Sequence, residues 1–167
     1  MGQDEQYKSA VGEFGPALQR LAQSYERDAD LVRDLVQEIH FALWRSFSTY
    51  SGQCSLRTWV YRVAHNTAVS QRLRRRRPDL VSLDDIAEPS SRDDAEGAIG
   101  HAQAIAKLQG LILKLKAPDN QVMQLYLEDL DAGEIGDITG LSSGAVATRI
   151  HRIKALLARQ FDEGGRR

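Results

Sequence analysis

Between residues 31 and 47 the chain steps through Leu31, Leu35, Ile39, Leu43 and Phe47 at strict intervals of four, with Val32, Val36 and Trp44 widening the stripe. Only an α-helix returns side chains to one face at that interval, because a strand repeats every second residue. The same three-and-four spacing recurs at Phe14, Leu18, Leu21 and Ala22, and again at Leu56, Val60, Val63, Ala64 and Thr67. These patterns predict helices over roughly 10–25, 29–47 and 55–76. Tyr50-Ser51-Gly52-Gln53 interrupts the period and predicts a loop.

Pro78 predicts an end to the third helix, since the residue before a proline avoids the helical region. The chain then carries Pro, Ser, Asp and Glu with few large apolar residues as far as Gly97, the composition of a flexible linker. Helical spacing resumes over 98–115 with Ile99, Ala102, Ile105, Ala106, Leu108, Ile112 and Leu115. Pro118 predicts the start of a further helix to about Leu127, burying Val122, Leu125 and Tyr126. The fold class is therefore all-α: two small helical domains, 1–78 and 98–167, joined by an acidic linker over 79–97.

Charge is segregated along this organisation. From Ser51 to Arg77 there are seven arginines (Arg57, Arg62, Arg72, Arg74, Arg75, Arg76, Arg77) and no acid. From Pro78 to Gly100 there are seven acids and one base, so the blocks cancel in a net charge of −1. A one-signed basic block attracts polyanions, although solvated helix ends are also basic. No apolar stretch approaches the about 20 residues a bilayer span needs. The N-terminus lacks a secretion signal, and the single cysteine, Cys54, forms neither an internal disulfide nor a zinc site. A reducing cytoplasm is the expected compartment. No metal cluster, phosphate-binding glycine loop or nucleophile–base arrangement is visible, so neither enzyme activity nor a cofactor is expected.

The strongest local signal lies at 131–157. Asp131 and Glu134 are spaced as a capping box. Ile135 and Ile138 face inward, Gly140 suits a left-handed helix exit, and Ser142 or Ser143 caps the next helix. That helix buries Val146, Ile150, Ile153 and Leu157. Its outer face carries Ala147, Thr148, His151 and Arg152, with Arg149 at the flank. A short helix, a glycine turn and a second helix with a small, polar and basic face is the geometry that enters a major groove, and it also occurs as an ordinary helical hairpin.

Taken together these segments resemble the sigma-70 family. Asp34-Leu35-Val36-Gln37-Glu38 with Leu43-Trp44 resembles its region 2.1–2.2. The stretch from Thr58 through Trp59-Val60-Tyr61-Arg62-Val63-Ala64-His65-Asn66 to Ala68, then the basic run, is similar to region 2.3–2.4. Glu134-Ile135 through Gly144-Ala145-Val146-Ala147-Thr148-Arg149-Ile150-His151-Arg152 resembles region 4.2. The order and length match the extracytoplasmic-function group. His40 stands where the family has Phe, Ser143-Gly144-Ala145 replaces Pro-x-Gly-Thr, and Gly136 replaces Ala, which by propensity weakens that helix by about 1 kcal/mol.

The resemblance implies a promoter-selecting factor that binds core RNA polymerase through its beta and beta-prime subunits and is held by an anti-sigma factor. It places Asp34, Leu35, Gln37, Glu38, Trp44 and Arg45 against the polymerase. It places Gly52, Gln53, Ser55, Leu56, Arg62, Asn66, Arg72, Arg74 and Arg75 on minus-10 DNA, with Arg76 and Arg77 on the backbone. It places Ala147, Thr148, Arg149, His151 and Arg152 on minus-35 DNA. Trp59 either stacks on a base or packs in the core, and the acidic linker either threads a basic polymerase channel or is merely solvated. Two other classes compete: a stand-alone helix-turn-helix regulator, which leaves the 29–47 and 57–77 helices without a role, and a protein-binding helical adaptor, which leaves the arginine block unexplained.

Overall fold

A computed structural model describes residues 2–75 and 100–165, and among these every regular element is helical. Arg76, Arg77, Pro78 and the 79–97 linker lie outside the described residues. The helices are α1 (Gln3–Tyr25), α2 (Ala29–Ser46), α3 (Leu56–Arg75), α4 (His101–Leu113), α5 (Asp119–Leu127), α6 (Ala132–Thr139) and α7 (Ser143–Gly165).

Helices α1, α2 and α3 pack into one bundle around Phe14, Leu18, Leu21, Leu35, Ile39, Leu43, Val60 and Ala64. Each phenylalanine, leucine, isoleucine or valine side chain among them taken fully from water contributes about 1.5–3 kcal/mol. Asp28 caps α2 by accepting from the backbone N–H groups of Asp30 at 2.8 Å and Leu31 at 3.2 Å. Helix α1 begins seven residues before the 10–25 span that apolar spacing predicts. Its first turns are held by polar contacts to α2. The Gln3 amide donates to the Trp44 carbonyl at 2.8 Å, and the Trp44 indole N–H donates to Asp4 at the same distance. The Tyr7 hydroxyl bonds His40 Nδ1 at 3.0 Å, which accommodates the histidine.

The second half closes over Ile112, Val122, Leu125, Ile135, Val146, Ile153 and Leu157. Pro118 precedes α5 as its cap residue, and its carbonyl accepts from Val122 N–H at 2.9 Å. Asp131 accepts from Glu134 N–H at 2.8 Å, so half of the capping box forms. The Glu134 carboxylate turns instead to Arg57, 3.0 Å away. Gly140 adopts φ +83° at the exit of α6, and Ser142 Oγ accepts from Ala145 N–H at 3.1 Å to start α7.

Gly136 reverses the expectation from helix propensity. A Cβ there would lie 2.7 Å from the Leu141 carbonyl oxygen, a backbone atom that cannot swing aside. The close approach of α6 to its own turn requires the missing side chain. Gly136→Ala is therefore expected to destabilise the chain by about 1–3 kcal/mol, as overpacking does, despite the gain in helix propensity. Thermal melting checks this, and a raised midpoint would show that the turn yields.

The two halves pack on each other, α1 against α5 and α3 against α6. Arg20 grips Glu128 with two hydrogen bonds of 2.6 and 2.9 Å. The Asn120 amide donates to the Ser24 carbonyl at 2.8 Å, both residues being buried, and Arg27 donates to the Leu113 carbonyl at 2.7 Å.

Candidate nucleic-acid interface

The outer face of α2 presents Asp34, Gln37 and Glu38 to solvent. Leu35 does not join them. It is 1% exposed, because it falls on the inward stripe with Val32, Ile39 and Leu43, so its side chain packs inside the bundle and holds the helix in place. Trp44 is 38% exposed and stacks on Phe41, ring centroids 6.4 Å apart, while the Arg45 guanidinium lies 5.5 Å over the Phe41 ring. Phe41, 56% exposed, is the residue that periodicity overlooked. The available signal was a phenylalanine lying off the inward stripe on an otherwise polar face.

The loop between α2 and α3 is organised by its own side chains. Gly52 adopts φ +84°, a left-handed conformation that favours glycine. Gln53 accepts from Ser51 N–H at 2.7 Å and donates to the Thr49 carbonyl at 2.9 Å. Ser55 Oγ accepts from Thr58 N–H at 3.1 Å, opening α3. Gln53 and Ser55 thus shape the loop, and Gly52 and Gln53 are exposed along it beside half-buried Leu56. Trp59 is half-buried, donates to Ser46 Oγ at 3.0 Å and packs on Tyr50, which supports the packing alternative.

Helix α3 buries Val60, Tyr61, Ala64, His65 and Ala68. His65 sits in the bundle with Nδ1 bonded to the Tyr25 hydroxyl, and burial lowers its pKa. Arg62 and Asn66 lie away from this core. Asn66 is exposed, and Arg62 Nε donates to the Asp137 carbonyl at 3.2 Å. Arg74 is exposed, Arg72 is half-buried, and Arg75 pairs with Glu26 at 3.2 Å.

Helix α7 buries Val146, Ile150, Ile153 and Leu157 and leaves Ala147, Thr148, His151 and Arg152 exposed. Asp119, at the start of α5, reaches both flanking arginines: Arg149 at 2.7 Å and Arg152 at 3.3 Å. The carboxylate sets the direction of the Arg149 guanidinium, whereas Arg152 keeps a side chain 66% exposed. Small residues, two oriented arginines and a histidine on one helix face have the reach and donor capacity to read base edges and phosphates.

Residues 10–78 match the family model Sigma-70 region 2, and residues 105–157 match Sigma-70, region 4. The ECF RNA polymerase sigma factor SigW of Bacillus subtilis is 28% identical over 141 residues, covering 78% of this chain and 75% of the relative. The ECF RNA polymerase sigma-E factor of Escherichia coli is 26% identical over 163 residues, covering 92% and 85%. Among solved structures, the sigma factor RpoE in complex with the anti-sigma factor NepR from Bartonella quintana superposes with a TM-score of 0.71 at 20% identity, covering 94% of this chain and 96% of that one. CnrH in complex with the cytosolic domain of CnrY gives a TM-score of 0.64 at 21% identity, covering 94% and 88%. At these identities the structural matches establish a shared fold.

Proposed function

This chain belongs to the sigma-70 family, in its extracytoplasmic-function group, and on that premise we propose that it binds core RNA polymerase and directs initiation at selected promoters. The observation that carries the reading is the succession of region 2 and region 4 in one short chain, over residues 10–78 and 105–157. In this reading Asp34, Gln37, Glu38 and the Phe41–Trp44–Arg45 patch dock on the polymerase. The α2–α3 loop with Arg62, Asn66, Arg72, Arg74 and Arg75 engages the minus-10 element. The outer face of α7 reads the minus-35 element.

RNA synthesis belongs to the polymerase, so no residue here is given a catalytic role. No helix among the described residues is long and apolar enough to cross a membrane, and the factor works in the cytoplasm where core polymerase is found. The regulating partner is an anti-sigma factor, as in the solved relatives' complexes with NepR and CnrY.

Run-off transcription with purified core polymerase on a library of promoter fragments tests the whole reading. Start sites that need both core and this chain are expected. A chain that protects DNA alone and adds nothing to core would be an independent regulator instead. The docking face has its own test. Reversing charge with Asp34→Lys and Glu38→Lys should weaken core binding at least about tenfold, the scale of one or two lost interfacial charge contacts. Helicity should persist, since both side chains are solvent-exposed. Unchanged affinity would move the docking surface elsewhere.

A further inference from the structure

The first turns of α1 lie ahead of its buried stripe, which begins at Ala10, yet three of their side chains reach α2. Asp4 meets Trp44 and Tyr7 meets His40, the falling register of antiparallel neighbours. The Gln3 amide donates to the Trp44 carbonyl, one of the last carbonyls of α2, which a helix leaves short of partners. The Asp4 carboxylate accepts from the indole N–H of the same residue at 2.8 Å. Trp44 is thus held both at its backbone and at the polar edge of its ring. It stands at the end of the stripe Asp34, Gln37, Glu38, Phe41, Trp44 and Arg45, whose three- and four-residue steps keep it on one face of α2.

An indole 38% exposed can turn about its side-chain torsions and has one N–H to satisfy. With that N–H directed at Asp4, the ring lies along Phe41 at an interplanar angle of 27°. We propose that Asp4 is a positioning residue for polymerase docking: through the indole N–H it holds Trp44 stacked on Phe41, so the aromatic end of the α2 stripe is formed before core arrives. This rests on the reading that the outer face of α2 docks on core polymerase. Two physical effects support it. Aromatic anchors carry much of an interface's energy once they are desolvated, and a ring fixed beforehand loses little freedom on binding. A covered indole N–H needs an acceptor. Asp4 supplies one from within the chain, so the polymerase surface over the two rings has only to be apolar. An acid in a first helical turn also suits the helix dipole. Glu5 already places a charge in that turn, and a dipole gives Asp4 no reason to face Trp44.

The full-length chain is titrated against purified core polymerase as Asp4→Ala, as Asp4→Asn, and as Trp44→Phe with and without Asp4→Ala. Asparagine keeps the acceptor oxygen and drops the charge. Phenylalanine keeps a ring and drops the N–H. Asp4→Ala should lose affinity about fivefold, the scale of one hydrogen bond, with helical content by circular dichroism retained. Asp4→Asn should bind core like the unmodified chain. In the Trp44→Phe chain, adding Asp4→Ala should cost nothing further, the coupling expected of groups that act through one contact. In the free chain the Trp44 indole N–H resonance should shift and exchange faster with water in Asp4→Ala, and remain protected in Asp4→Asn.

Equal losses in Asp4→Ala and Asp4→Asn would make the carboxylate charge the active feature and overturn the proposal. A loss that persists in the Trp44→Phe chain would overturn it too, since Asp4 would then act on α1 or on polymerase directly, as would an indole resonance unaffected by Asp4→Ala. The Asp34→Lys, Glu38→Lys chain is measured in the same titration. If that chain binds weakly while Asp4→Ala binds as before, the positioning role alone falls. If neither loses affinity, the docking face lies elsewhere, and the reading falls with the role built on it.

Discussion

Leu35→Ala is expected to destabilise the α1–α3 bundle by about 2–5 kcal/mol, the range for removing a buried leucine side chain and leaving a cavity. The sequence motif places Leu35 between Asp34 and Gln37 and so invites its assignment to the polymerase surface. The structure gives it 1% exposure, on the stripe with Val32, Ile39 and Leu43 against α1 and α3. A loss of that size is a large part of the 5–15 kcal/mol that holds an ordinary domain together. Urea unfolding should show a lower midpoint, and core binding by the fraction that remains folded should be unchanged. The Asp34→Lys, Glu38→Lys variant should show the reverse pattern, with a nearly unchanged midpoint and lost affinity. A stable Leu35→Ala chain that fails to bind core would place the leucine at the interface after all.

The contrast shows where sequence pattern carries information. The inward stripe of α7 was legible residue by residue, and that of α2 apart from its ends, where Leu31 is half-buried and Trp44 is exposed, because a buried helix face repeats its apolar positions at a fixed interval. The glycine exit at Gly140 and the caps at Asp131 and Ser142 were legible because each has a local cause. The first turns of α1 were not. They are stabilised by Gln3, Asp4 and Tyr7 reaching residues some 33 to 41 positions away, and nothing in their own spacing announces it. Gly136 was misread for a related reason: propensity is a property of an isolated helix, and the Leu141 carbonyl that demands glycine arrives only when the turn closes.

The candidate site divides the same way. The polar face of α7 follows from the inward face by subtraction, so the exposure of Thr148, His151 and Arg152 was legible in the sequence. The resemblance places Gln53 and Ser55 on minus-10 DNA, and only the fold shows that their side chains also bond within the loop and its junction with α3. The engagement of Arg57 and Arg62 by α6 depends on packing between segments separated by more than 70 residues, with no periodic signature in either. Charge blocks in a sequence tell which groups seek a counter-charge, and only the fold tells which counter-charge they find.

The outer face of α7 supports the other large effect. Alanine at Thr148, His151 and Arg152, one at a time, should each change binding to the minus-35 element while leaving the fold intact, since all three side chains are exposed and the inner face is filled. Arg152 should matter most. It carries the fork geometry that matches guanine O6 and N7, a contact worth about 1–3 kcal/mol of discrimination. Its 3.3 Å bond to Asp119 is the longer of the two arginine contacts that carboxylate makes, so it is the one more readily exchanged for a base edge. Arg149, held at 2.7 Å and less exposed, is better placed for a fixed phosphate contact. Binding of the polymerase holoenzyme is measured on single-base promoter variants at two salt concentrations. Arg152→Ala should flatten the preference at one position and leave the salt slope nearly unchanged. Arg149→Ala should weaken all sequences alike and reduce the slope by about one. If Arg152→Ala behaves as Arg149→Ala is expected to, the long arginine is a phosphate clamp, and base reading falls to Thr148 and His151. A profile unaltered in all the alanine variants would remove α7 as the reading helix.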